Sequence, residues 1–277
     1  ILARADSSDV PFVATQPGFV VEAVGFNYRL PVNIAFVPNP GPNPDDPLYF
    51  VTELYGSIQV VTRDGTKREF ATGLLDYNPT GPISGSGEQG LTGIAVERDA
   101  NDPEIYHLYV GLLWDNGSPP GGPVHYPKVE RITSASGGLT MASRTVLLNM
   151  QPETQGQSHQ ISNITIGPDD KLYVHNGDGF VFSTGQDLDS FRGKVLRLNK
   201  DGSAPTDNPF YNETDGIAAR DYVFAYGLRN PFGGAWRTAD GTHYSVENGP
   251  SVDRLSQINE GVNYGWDGSN SSMFINA

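Results

Sequence analysis

The chain has 277 residues, 18 of them basic and 32 acidic, for a formal net charge of −14. That balance repels phosphate backbones and anionic headgroups, and no basic patch offsets it, so nucleic-acid and membrane-surface partners are set aside. No apolar run approaches the roughly 18 residues needed to span a bilayer. The absence of cysteine removes disulfides, thiolate metal sites and thiol nucleophiles together. With 33 glycines and 21 prolines but no three-residue period, the composition is that of a turn-rich all-β protein. A hydrophobic fraction of 37% is enough for a packed core.

The N-terminus offers two readings. Ala3-Arg4-Ala5 before Asp6-Ser7-Ser8 is either the end of a signal peptide or an ordinary terminus. Sequons at Asn116, Asn163, Asn212 and Asn270 give weak support to a secreted or periplasmic location. Residues 1–17 read as an extension and 19–24 as a short strand. From there one phrase recurs: a short apolar strand, a turn rich in Asp, Asn, Pro and Gly, and a second strand carrying Leu-Tyr or its equivalent.

The four copies centre on Tyr49, Tyr109, Tyr173 and Tyr244, roughly 60 to 70 residues apart. Residues 34–37, 48–51 and 56–61 make the first; 93–96 and 108–111 the second; 164–166, 172–174 and 193–198 the third; 234–236 and 242–245 the looser fourth. The repetition predicts an all-β, single-domain β-propeller over 1–277, with about four to five blades of sequence and a polar tail at 268–277. Residues 252–258 are the one segment expected to make a helical turn.

In a propeller the strands are scaffold, and loops at one rim converge on the axis. Four loops stand out at matching points of successive repeats: 85–91, 157–160, 226–231 and 247–250. His159 has polar neighbours and an imidazole suited to moving protons near neutral pH; it is a general base or a hydrogen-bonded loop histidine. Arg229, followed by Asn230 and the stiff Pro231, suits a carboxylate or oxyanion, or else bonds loop carbonyls. Gly249 and Pro250 offer backbone oxygens to a hard cation such as Ca²⁺, or simply form a turn. Gln89 can orient a polar ligand.

Gly90-Leu91-Thr92-Gly93-Ile94-Ala95, Gly167-Pro168-Asp169-Asp170-Lys171-Leu172-Tyr173, Gly177-Asp178, Gly193-Lys194-Val195-Leu196-Arg197, Asp207-Asn208-Pro209-Phe210, Tyr226-Gly227-Leu228-Arg229-Asn230-Pro231 and Gly261-Val262-Asn263-Tyr264-Gly265-Trp266 occur in this order. Together they resemble the soluble quinoprotein glucose dehydrogenase and aldose sugar dehydrogenase family, which includes the sorbosone dehydrogenase-like proteins. The resemblance implies a six-bladed propeller, here apparently incomplete at the C-terminus, that binds pyrroloquinoline quinone (PQQ) and Ca²⁺ and oxidises aldose sugars or related alcohols. It places His159 as general base, Gln89, Arg229 and Asn230 against the cofactor, and the main-chain oxygens of Gly249 and Pro250 on the metal. The implied partners are a sugar substrate and an electron acceptor.

The chain departs from the family pattern in places. Ser158 replaces an aspartate before the histidine, so the expectation is that a carboxylate orienting the imidazole is missing. Asn248 and Arg254-Leu255-Ser256 replace residues expected around a second Ca²⁺. Family members also continue well past the Asn-Tyr-Gly-Trp phrase, so the intact polypeptide is expected to be longer. Two other readings remain: a non-catalytic propeller binding carbohydrate or a protein at the channel rim, and a Ca²⁺-dependent lactonase-like hydrolase.

Overall fold

The computed structural model describes residues 14–25, 27–77, 88–115, 125–155 and 158–273. Fifteen strands form four antiparallel sheets, one per sequence repeat. The first sheet contains β1 (Pro31–Phe36), β2 (Pro47–Glu53), β3 (Ser57–Thr62) and β4 (Lys67–Ala71). β5 (Leu91–Arg98), β6 (Tyr106–Trp114), β7 (Tyr126–Ser134) and β8 (Ser143–Asn149) make the second. The third is β9 (Ile161–Ile166), β10 (Leu172–Asn176), β11 (Lys194–Leu198) and β12 (Val223–Tyr226), and the fourth β13 (Pro231–Arg237), β14 (Thr242–Glu247) and β15 (Arg254–Gln257). Each sheet follows chain order from its inner strand outwards, and β1, β5, β9 and β13 pack against one another in sequence. This is an all-β propeller arrangement.

Alternation along each strand sends alternate side chains to the two faces of a sheet, and the faces between successive sheets bury against one another. Phe50, Ile58, Val60, Leu91, Ile94 and Leu108 fill the space between the first and second sheets. Tyr109, Val129, Ile161, Ile164, Leu172 and Leu196 do so between the second and third. Between the third and fourth, Tyr173, Val195, Ala225, Leu228, Ile258 and Tyr264 pack with Trp236. Polar side chains staple the inner strands together. Asn33 Nδ2 donates to Asn163 Oδ1 at 3.2 Å, Asn163 Nδ2 to the Gly234 carbonyl at 2.9 Å, and Thr92 and Ser162 donate to the carbonyls of Ile161 and Pro231.

Several expectations are corrected. The described residues form four blades where the family resemblance implied six. The two flanks of the arc bear apolar side chains in water: Val32, Ile34 and Phe36 on β1, and Phe232, Val246 and Leu255 on the fourth sheet. Residues 19–24 form no strand and lie largely exposed, because they find no partner edge. The helical turn expected at 252–258 is β15, since Arg254 to Gln257 pair with Glu247 to Tyr244. The Asn163 sequon lies on an inner strand with its amide already donated, so it is not a surface acceptor. The polar tail is partly packed: Asn270–Met273 make a 3-10 turn that buries Met273. The readings at residues 3–5, loop positions 85–87 and 157, the Asn116 sequon and residues 274–277 lie outside the described residues. Among the described residues no helix is long and apolar enough to cross a membrane.

Candidate active site

His159 stands in the loop that enters β9, with a left-handed backbone (φ 62°) that turns its ring inward. Its N–H donates to Glu88 Oε2 at 2.6 Å, and its ring stacks on Phe180 with centroids 4.0 Å apart. Its Nδ1 lies 2.6 Å from Asp178 Oδ1. Asp178 is fully buried in the loop leaving β10, and its second oxygen accepts from Trp266 Nε1 at 2.8 Å. Phe180 N–H adds a third bond to this carboxylate at 2.9 Å. A carboxylate bonded in this way needs a proton on Nδ1, which leaves the lone pair of a neutral imidazole on Nε2.

The expectation that no carboxylate orients His159 is thus corrected. Ser158 supplies none, but Asp178 reaches the ring from nineteen residues further along. Gly177-Asp178 was visible only as part of a family phrase, because the pairing depends on antiparallel β9 and β10 bringing their ends together. Trp266 arrives by a similar route. Residues 262–266 run parallel to the end of β12, with Tyr264 N–H donating to Tyr226 O at 2.8 Å and Trp266 N–H to Gly227 O at 2.9 Å.

Arg229 and Asn230 come from the loop between β12 and β13 and adjoin this dyad. The carbonyl of Arg229 accepts from Asp178 N–H at 2.8 Å, and its guanidinium lies over the Trp266 ring at 5.7 Å. Arg229 Nη1 donates to Asn248 O and Asn248 Oδ1, both at 2.9 Å, which ties it to the Gly249-Pro250 loop. Asn230 Nδ2 lies 3.4 Å from Glu88 Oε2, so one carboxylate touches both the histidine loop and the arginine loop. Below them Glu247 accepts from Arg229 N–H at 2.8 Å and forms a buried pair with Arg254. Burial pushes the Glu247 carboxyl up, against the pull of Arg254.

Gly249 sits in a loop closed by Asp253 Oδ1, which accepts from Gly249 N–H at 3.2 Å and Asn248 Nδ2 at 3.1 Å. A Cβ at Gly249 would meet Val252 O at 2.0 Å, so only glycine fits. Pro250 is exposed beside it. Gln89 is buried, but no hydrogen bond joins it to the other candidates; Glu88 is the residue of that loop that does so, and nothing in its isolated sequence context marked it.

The residues present suit a polar ligand that carries both acceptor and donor atoms. Among the described residues, Arg229 Nε and Asn230 Oδ1 are buried without partners; the first is a donor of a guanidinium that can face negative charge, and the second is an acceptor. Among the described residues there is no cluster of three or more His, Cys, Asp or Glu for a metal. Main-chain oxygens such as those of the Gly249-Pro250 loop are donors that a hard cation can use. A cavity of about 600 Å³ runs along the inner strands from Glu88 and Gln160.

The family model described as glucose/sorbosone dehydrogenase matches residues 29–273. Quinoprotein glucose dehydrogenase B of Acinetobacter calcoaceticus is 32% identical over 204 residues, covering 65% of this chain and 40% of its own. A putative oxidoreductase (glucose dehydrogenase) from Thermus thermophilus superposes with a TM-score of 0.70 at 30% identity, covering 88% of this chain and 65% of its own. The PQQ-bound aldose sugar dehydrogenase of Streptomyces coelicolor does so with a TM-score of 0.66 at 26% identity, covering 91% and 66%. The chain spans about half the length of the curated relatives it matches. With a family match over nearly all of its described length, the chain belongs to the glucose/sorbosone dehydrogenase family.

Proposed function

We propose that this protein is a PQQ- and Ca²⁺-dependent dehydrogenase that oxidises aldose sugars or related alcohols, with His159 as its base. The observation that carries the reading is the His159–Asp178–Trp266 chain: one imidazole with Nδ1 held at 2.6 Å by a buried carboxylate, which is itself held at 2.8 Å by an indole N–H. Arg229 and Asn230 would hold the quinone and the carbonyls of Gly249 and Pro250 the Ca²⁺, and the quinone would supply a hydride acceptor.

The work of the chain's own groups follows from geometry. His159 Nε2 takes the hydroxyl proton of the substrate as its carbon loses hydride, so the alcohol becomes a carbonyl. Positive charge then develops on the imidazole, and Asp178 stabilises it through Nδ1. Trp266 keeps that carboxylate from rotating away. Arg229, braced by Asn248, presents a fixed cation to negative charge developing across the site. We place the protein outside the cytoplasm, in the periplasm or secreted, and read the exposed flanks of the arc as faces that further sheets of a longer polypeptide cover.

The test is reconstitution. Protein supplied with PQQ and Ca²⁺ is expected to bleach an artificial electron acceptor with at least one sugar of a panel, and His159→Ala to abolish that activity. Failure of the wild type to take up the quinone would end this reading.

A further inference from the structure

One polar side chain in the channel does not behave like the others. Asn33, Thr92, Ser162 and Asn163 line the cavity and each bonds to a neighbouring inner strand; Thr165 Oγ1 accepts from Trp236 Nε1 at 3.0 Å. Gln160 lines the same cavity, is 2% exposed, and among the described residues has no partner for either Nε2 or Oε1. Its main chain is engaged, since its carbonyl accepts from Gly177 N–H at 3.1 Å, so the backbone is anchored while the amide stands idle. A buried amide with both ends unsatisfied destabilises the fold, which points to a ligand rather than to packing.

Chemistry narrows the ligand. A carboxamide offers one donor direction and one acceptor direction side by side, which matches two adjacent hydroxyls, each able to donate and accept. Glu88 also lines this end of the cavity and is a pure acceptor when ionised, so a ligand rich in O–H donors is favoured over an anion. Gln160 directly follows His159 in the chain. We propose that Gln160 is a substrate-specificity residue, whose amide receives a vicinal pair of hydroxyls on a polyol ligand held in this cavity. This rests on the dehydrogenase reading given above.

The test uses Gln160→Met, which keeps side-chain length and removes the amide. Aldose affinity is measured by calorimetry without quinone, KM and kcat are measured in the reconstituted enzyme, and thermal midpoints are measured without ligand. Loss of two hydrogen bonds is expected to weaken sugar binding and raise KM by about tenfold or more, with kcat little changed. The thermal midpoint of the ligand-free variant is expected to rise, because an unsatisfied buried amide has gone. Unchanged sugar affinity overturns the proposal, and so does a lower midpoint, since it shows that the amide has a structural partner. If wild-type protein takes up quinone yet binds no sugar without it, and Gln160→Met leaves KM unaltered, the proposal fails while the dehydrogenase reading stands. Sugar bound through Gln160 without any quinone uptake upholds the amide's role and ends that reading.

Discussion

Nε2 of His175 and Nε2 of His243 face each other at 3.1 Å, buried where the third and fourth sheets meet. Ser245 Oγ donates its single proton to Gly233 O at 2.9 Å and therefore accepts from His175 Nδ1 at 3.2 Å. His175 Nε2 is then the acceptor and His243 Nε2 the donor. Among the described residues His243 Nδ1 is left as a bare lone pair with no partner, while its ring stacks on Trp236 at 4.2 Å. Both rings are neutral members of one directed chain of hydrogen bonds.

Acid should therefore loosen this contact. Burial pushes the His243 pKa down to about 4, and burial with the adjacent His243 pushes His175 well below the usual value. In the unfolded chain both protonate near pH 6.5, so the stability they contribute is present above about 6.5 and is lost as pH falls toward 4. For His243 alone the loss reaches about 3 kcal/mol. Urea unfolding at pH 7 and pH 4.5 measures this, and the decrease should be smaller in His243→Gln, which donates but does not titrate. An equal decrease in that variant would contradict the assignment.

Asp178→Asn tests the positioning of the base. An amide cannot accept from both His159 Nδ1–H and Trp266 Nε1–H, because one of its ends is a donor. Either the imidazole takes the wrong tautomer or the indole bond breaks. The expected loss is about 10²- to 10⁴-fold in kcat, with quinone uptake retained and KM little changed. Steady-state kinetics of the reconstituted enzyme distinguish this from a loss of folding, in which uptake disappears as well.

Glu247 and Arg254 form the most buried ion pair among those described, with side chains 2% and 0% exposed. Glu247→Leu leaves a guanidinium without its counter-charge and removes the acceptor for Arg229 N–H, so it should cost about 3 to 5 kcal/mol. The double change Glu247→Leu with Arg254→Leu should be less destabilising than the single one. Denaturant titrations of both variants give the comparison, and simple additivity would count against a coupled pair.

Gly249→Ala should displace its loop, since the added methyl meets Val252 O at 2.0 Å and Met273 Cε at 2.8 Å. The obstacle is backbone, which cannot move aside as a flexible side chain does. If main-chain oxygens here hold Ca²⁺, the Ca²⁺ concentration for half-maximal reconstitution should rise by about tenfold or more. An unaltered Ca²⁺ requirement would remove the metal from this loop.

The strand–turn–strand phrase made the blades readable in sequence because it is local: apolar alternation and turn residues act within ten or fifteen positions. Tyr49, Tyr109 and Tyr173 fell on second strands β2, β6 and β10 for that reason, and Tyr244 on β14. His159, Arg229, Asn230 and the Gly249-Pro250 loop stood out because unusual residues interrupted that pattern. Residues 252–258 were misread as a helical turn because β15 owes its conformation to pairing with β14, which propensity does not register.

What only the folded chain decided is which groups meet. Nothing local to Asp178 says that its carboxylate serves His159, nor that Trp266 holds it, for that pairing spans 88 residues. Gln89 stood out as text and Glu88 did not; only the fold places the Glu88 oxygen against two loops at once. The idle amide of Gln160 is likewise a property of the fold: among the described residues its polar neighbours in the cavity have partners and its amide has none. Local sequence determines strands and turns through steric preference and hydrophobic period. Hydrogen bonds between distant loops depend on how successive sheets stand side by side, and that geometry is set by packing between blades.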